Sequence, residues 1–412
     1  MAPETTPSYT AELAYDPARR RARTAVKFGL LPPTPLVDRY LLGPFSSVTW
    51  IAVDAVVAGG FVCLIPSIAF SKYVMRWPSM FNLPREESAD GRDVNASNGA
   101  MGSTTAVKTL SVRSQLYLQG GGGPDWVAPL IMRQLSLFGP NIPGSVLLTR
   151  LWNMLFRWHF RLTGRIFADQ MAEVLFSKKM KFGECGILQP RTCWLDDVVD
   201  TFARKEDGRQ FNVVFLGAGF DTRSYRLESI LTNEDANLYE VDAAGTQSNK
   251  RRTLNNARID SSHVQFVDCD FEREDWLECL QTKSDFDRSL ATAFVWEGVM
   301  MYLDIEVAMA TISKVRKCGK GSCIAFDYFD ASCLTDWMKK STSKIGEPMK
   351  SAIDNLDEFV VNCNRQSSEG LQLSVWDHLR CDELKKRYIA QVGDRHIGYL
   401  SEFGGFLLLG TQ

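Results

Sequence analysis

No two of the ten cysteines stand in CxxC spacing, and most lie inside apolar stretches. Zinc sites and a disulfide framework are therefore not expected, and free thiols of a reducing compartment are. Histidine is scarce: His159, His263, His378 and His396 are the whole supply, and none falls in a motif discussed below. No histidine is assigned as a base, each reading as structural or exposed. Excess charge of one sign is missing too, since the formal net charge is -2, so no global basic field calls for a nucleic acid. Internal repeats are absent. A secretory signal fits poorly because the first long apolar run starts only at Val48, and Glu4, Glu12 and Asp16 place acid where a mitochondrial presequence avoids it.

What is present is a chain of 412 residues, 45% hydrophobic and 23% charged, enough for one large core plus an extension. Its organising stretch is Phe211–Leu227, FNVVFLGAGFDTRSYRL. Phe211 and Val213 to Leu216 read as a strand buried on both faces, and Gly217, Ala218 and Gly219 as a tight turn against which a ligand can lie. Asp221 and Thr222 read as helix-start residues, giving a strand, a glycine turn and a helix N-terminus. A dinucleotide site would carry a third glycine where this chain has Thr222, so a ligand without a pyrophosphate is favoured. A second strand, Leu238 to Val241, ends in Asp242, placed to accept hydrogen bonds from both hydroxyls of a ribose. The bland alternative is a turn and a helix cap.

Before that core lies a different region. Residues 1–45 are polar with arginines at 19, 20, 21 and 23 and Lys27, a membrane-surface patch or a solvated tail. Val48 to Phe70 is apolar and about 23 residues long, enough to span a bilayer, although Asp54 inside it costs about 2.5–3.5 kcal/mol. A membrane-associated helix and a helix buried in the folded domain both remain open. A basic cluster before a true span would send the catalytic part to the far side, so a peripheral or re-entrant placement weighs as much. Residues 84–106 read as a flexible linker, and 126–160 as helices that lid a site or lie on a membrane. The expected divisions are an extension at 1–106, a helical lid or surface region at 107–166 and a catalytic domain at 167–412.

Further strands are expected at His263–Val267, Thr292–Trp296, Ser322–Phe326 and Gly404–Gly410, the last antiparallel, with a helix over Thr246–Asn256. Glu297 and Tyr302 follow the fourth strand, at the sheet edge where ligands of open α/β folds bind. Tyr302 is a candidate for the acceptor pocket or for plain core.

GAGFDTRSYRL, YEVDAAGTQSNKR, VDCDF and FVWEGVMMYLD, in this order, resemble the successive motifs of the leucine carboxyl methyltransferase family. The likeness spans roughly Phe167 to Gly410. It implies an α/β fold of the class I methyltransferase, Rossmann-like type, with a central sheet of about seven strands and flanking helices, and S-adenosyl-L-methionine as cofactor. It also implies roles: Arg191, expected just before a helix, for the donor's carboxylate; Asp270 and Phe271 for the adenine; Glu297 for the donor's amino group or sulfonium. With Gly217, Ala218, Gly219 and Asp242, these form the candidate cofactor site. The implied reaction is O-methylation of a carboxylate on a small molecule or a protein; an intracellular, cytosol-facing enzyme with no metal is expected, with membrane association through residues 48–70 as an open alternative. Rival readings are a NAD-dependent reductase, disfavoured by Thr222, and a non-catalytic membrane-tethered binding module.

Overall fold

Seven strands hydrogen-bond into one sheet whose central strands are buried on both faces and accordingly apolar along most of their length. In the computed structural model, which describes residues 104–118, 123–135, 184–271, 273–343, 348–366, 370–388, 391–392, 395–396 and 404–412, the strands are β1 (Phe211–Leu216), β2 (Ala236–Asp242), β3 (Val264–Asp268), β4 (Thr292–Trp296), β5 (Cys323–Phe329), β6 (Leu373–Leu379) and β7 (Gly404–Thr411). Their order is β3-β2-β1-β4-β5-β7-β6, with β7 antiparallel to both neighbours and every other pairing parallel. Val213, Phe215, Val295, Ala325 and Leu408 face one hydrophobic core; Val214, Leu216, Phe294, Trp296, Ile324, Phe326, Leu407 and Leu409 face the other. This is the class I methyltransferase sheet, with the expected antiparallel strand in place.

Helix α1 (Thr104–Leu118) packs on α2 (Ala128–Leu135) and on the long α3 (Glu184–Lys205), and all three feed the first core through Leu110, Ile131, Trp194, Val198 and Phe202. Helices α4 (Ala244–Asn256) and α5 (Trp276–Lys283) follow β2 and β3. The expected linker at 84–106 gives way to helix at Thr104: Ala106, Leu110 and Arg113 share one helical face, and that face is drawn into the protein. Val48–Phe70 and the rest of 1–103 lie outside the described residues. Among the described residues, no helix is long and apolar enough to cross a membrane.

Two further expectations are corrected. Arg191 does not precede its helix: α3 begins at Glu184 and runs through Pro190 and Arg191. Nor does the glycine turn lead into an α-helix N-terminus. A 3-10 turn at Arg223–Tyr225 and a single helical turn at Glu228–Leu231 stand there instead. Asp221 accepts a 2.8 Å bond from the Arg223 amide while the Arg223 guanidinium is held deep in the protein, and that pull keeps the backbone tightly coiled. Strand β5 also runs past Phe326, so Asp327 belongs to the sheet rather than to the loop after it.

The sheet order reverses between β1 and β4. Ligands of open α/β sheets enter the crevice at such a switch point, beyond the strands' carboxyl ends. Register brings Leu216 beside Val241, Asp242 beside Asp268 and Trp296 beside Phe326, so the residues that follow these strands form one row along that edge.

Candidate active site

On one side of the crevice is the turn after β1. Gly217 has φ +61° and Gly219 φ +43°, the left-handed region that side chains avoid. A Cβ on Gly217 would lie 2.5 Å from Val299 Cγ2, and one on Gly219 would lie 3.1 Å from Ala106 Cβ of α1. The bare backbone of the turn is therefore pressed between the loop after β4 and α1. The Gly219 amide donates to Asp242 Oδ2 at 2.6 Å, and the Ala243 amide to Asp242 Oδ1 at 2.7 Å. Each oxygen spends one lone pair on the backbone, and what remains faces the crevice and the Thr246 hydroxyl. Burial pushes the Asp242 carboxyl upward, and the two amides and Thr246 oppose it.

On the other side is Glu297, directly after β4. It accepts from Arg113, from Arg191 Nε at 2.9 Å and from Arg223 Nη1 at 2.6 Å. Burial alone would raise its carboxyl, but Arg113, Arg223 and Arg191 hold it well below the usual carboxylate range. Arg191 also donates through Nη1 to Asp327 at 2.6 Å, and Asp327 takes the Gly298 amide at 2.6 Å. Burial would depress the Arg191 guanidinium, yet Asp327, Glu297 and, more weakly, nearby Tyr302 raise it. Its Nε and Nη1 are committed, which leaves Nη2 as a further donor.

The network extends inward. Arg223 donates to Asp221 and, at 2.9 Å, to Asp196; Arg226 meets Asp196 with two bonds of 2.7 Å; Asp125 lies 3.8 Å from Arg113 and 3.6 Å from Arg226. Thr222, the residue in place of a third glycine, accepts from Arg226 Nε at 2.9 Å and so ties the turn to the same network. The four guanidinia (113, 191, 223, 226) face the five carboxylates (125, 196, 221, 297, 327), leaving one net negative charge in a desolvated cluster. Unpaired, any of these ions would be costly to bury; together they compensate one another's charge, although Arg113 Nε donates and Asp125 Oδ2 accepts no hydrogen bond among the described residues.

Asp270 and Phe271 follow β3 on the same edge. Phe271 packs against the second core, and the exposed Asp270 carboxylate lies 3.6 Å from Arg273. Tyr302 closes a 3-10 turn, Met300–Tyr302, beyond β4 and is half-buried. The structure thus brings Arg191 and Glu297 into direct contact, sets Gly217, Ala218, Gly219 and Asp242 across the crevice, and leaves Asp270 and Phe271 at its β3 end. Arg113, Asp125, Asp196 and Asp327 carry no motif signal. Arg113 is 184 residues from Glu297 in sequence, and only the packing of α1 joins them.

Comparison with known proteins agrees with the motifs. The family model described as leucine carboxyl methyltransferase matches residues 159–316. A protein of Streptomyces coelicolor is 33% identical over 138 residues, 33% of this chain and 44% of its own length, and one of Mycolicibacterium gilvum is 28% identical over 222 residues, 53% and 70% respectively. A third, from Mycolicibacterium vanbaalenii, is 32% identical over 158 residues, 36% of this chain and 51% of its own length. All three carry the provisional name S-adenosyl-L-methionine-dependent methyltransferase. By the first and third alignments, the chain spans about half the length of the relatives it matches. Magnesium protoporphyrin IX methyltransferase of Synechocystis, solved with bound S-adenosyl-L-methionine, aligns with 63% of this chain and 96% of its own at 11% identity, with a TM-score of 0.34, too loose a superposition to add to the strand order. The resemblance to the leucine carboxyl methyltransferase family is borne out over residues 159–316, the span that holds Arg191, the glycine turn, Asp242 and Glu297.

Proposed function

We propose that this chain is an S-adenosyl-L-methionine-dependent O-methyltransferase whose acceptor is a carboxylate of a small molecule or a protein. The observation that carries the reading is the crevice between β1 and β4, where a bare glycine turn and the Asp242 carboxylate face the Arg191–Glu297 pair. Asp242 offers acceptor oxygens to a ribose, with the Thr246 hydroxyl competing for one of them, Arg191 a donor for a carboxylate, and Glu297 and Asp327 the negative charge that suits an ammonium. The cluster's single net negative charge complements a donor whose sulfonium, ammonium and carboxylate sum to one positive charge. Thr222 and the missing α-helix N-terminus both speak against a pyrophosphate, and so against NAD.

When bound, the sulfonium supplies an electrophilic methyl group, and its transfer to an acceptor oxygen leaves a neutral thioether. For the protein this chemistry is chiefly positioning. Carboxylate acceptors are ionised at neutral pH and lose no proton, in keeping with a site edge built from arginines already committed to acids rather than from a free base.

Calorimetric titration separates the readings. S-adenosylmethionine and S-adenosylhomocysteine should bind and NADH should stay silent. Asp242→Ala should weaken both by about 1–3 kcal/mol, the scale for unpaired buried hydroxyls. NADH binding with no response to either sulfur ligand would reverse the assignment, and silence from all three in folded protein would favour a binding module. The carboxylate acceptor is tested separately: base-labile methyl incorporation marks an ester, and base-stable incorporation into the same acceptor would point to a hydroxyl, nitrogen or carbon and overturn the carboxylate.

A further inference from the structure

We propose that Cys269, Glu274 and Cys279 form a binding site for a thiophilic dication of the zinc class. One ligand atom from each, the two sulfurs and a carboxylate oxygen, lies within 4.8 Å of the others. Both thiols are buried, at 1% and 5% exposure, whereas the Glu274 side chain is 42% exposed, so sulfur forms the floor and the carboxylate the mouth of a cup open to solvent. A tetrahedral ion with bonds of about 2.3 Å to sulfur and 2.0–2.2 Å to oxygen holds its ligand atoms roughly 3.5 Å apart. Cys279 Sγ already sits 3.6 Å from Glu274 Oε1. Contraction by about an ångström at the remaining edges completes three-protein-ligand geometry, with water as the fourth ligand.

The frame is stiff where it must be. The Cys269 amide is tied to the Asp242 carbonyl at 2.9 Å, and Cys279 rides on α5, whose first turn is capped by Asp275 through the Leu277 amide at 2.9 Å. Between them Glu274 Oε2 accepts the Asp270 amide at 2.8 Å, so the loop folds back on itself without a metal. Lys283 Nζ lies 2.9 Å from Glu274 Oε1 and 2.8 Å from the Asp268 carbonyl. On binding, each thiol releases its proton to solvent and Glu274 turns from Lys283 to the ion. Two thiolates and a carboxylate around a dication leave one negative charge, and the neighbouring Lys283 ammonium offsets it.

The test is titration of the reduced, full-length protein with Cd2+, read by the ultraviolet thiolate-to-cadmium charge-transfer band, with Zn2+ competing. One equivalent should bind, Zn2+ should abolish the band, and Cys279→Ser or Cys269→Ser should weaken Cd2+ binding at least tenfold, no less than the loss of an outer-shell partner costs elsewhere. Glu274→Gln, which keeps an acceptor oxygen for the Asp270 amide, should weaken it about tenfold. No band in the wild type would show that no thiolate binds the ion, and an undiminished band in Glu274→Gln and in a folded cysteine variant would place the cadmium on other thiols; either result overturns the site. None of these readouts depends on donor binding or methyl transfer.

Discussion

Glu297→Gln should cost the protein about 3–5 kcal/mol of folding stability, the range for breaking a buried ion pair by removing one partner. Glutamine keeps the shape and one acceptor oxygen, so nothing is lost to a cavity. What disappears is the charge that Arg113, Arg191 and Arg223 share: Arg191 keeps Asp327 and Arg223 keeps Asp196 and Asp221, but the buried Arg113 is left with only Asp125 at 3.8 Å among the described residues. The change should appear as a lower urea midpoint at unchanged m-value. It should also carry a pH signature. Because the folded Glu297 carboxyl lies well below its ordinary value, its stabilisation is fully present above that ordinary value and is lost as pH falls through the folded one. Wild type and variant should therefore differ most near neutrality and converge in strong acid. A difference below about 1 kcal/mol at neutral pH would show the cluster to be solvated, with surface-like pairs.

Arg191 gives the second large effect, and a pair of substitutions resolves it. Arg191→Ala deprives Glu297 and Asp327 of a shared partner and should cost about 3–5 kcal/mol of stability. Arg191→Lys keeps the charge but not the planar fork: a single ammonium cannot serve Glu297, Asp327 and a ligand carboxylate together. The lysine variant should therefore fold with a smaller loss yet bind S-adenosylmethionine about tenfold or more weakly, as expected for a lost charge-assisted pair. Denaturant unfolding alongside donor calorimetry checks both. If the lysine variant binds the donor as wild type does, Arg191 serves the protein's internal network and not the ligand.

These two residues also show how far linear reading reaches. Glu297 was legible because a buried strand ends immediately before it, and an acid there must have a purpose. Its partners were not legible. The motif supplies Arg223 and Arg226 without saying where they point, and the expected helix start at Asp221 and Thr222 would have sent them elsewhere. The 3-10 turn carries both side chains inward to Asp196, a residue on the opposite side of the core that no local pattern associates with them.

From sequence alone came what depends on neighbours along the chain: six of the seven strands, as short apolar runs, while β6, whose apolar residues are interrupted by polar ones, went unread; the turn, from two glycines that alone accept its backbone angles; and Asp242 at the second strand's end. Tertiary structure decided what depends on distant encounters. It drew Ala106 and Arg113, beyond the start of the matched motifs, against the turn and Glu297; it enclosed Arg191 within a helix and between two acids; and it gathered Cys269, Glu274 and Cys279 at one spot. The reason is energetic: periodicity and turn chemistry act over a few residues, whereas a buried charge is tolerated only where the whole fold delivers its counter-charges, wherever in the chain they lie.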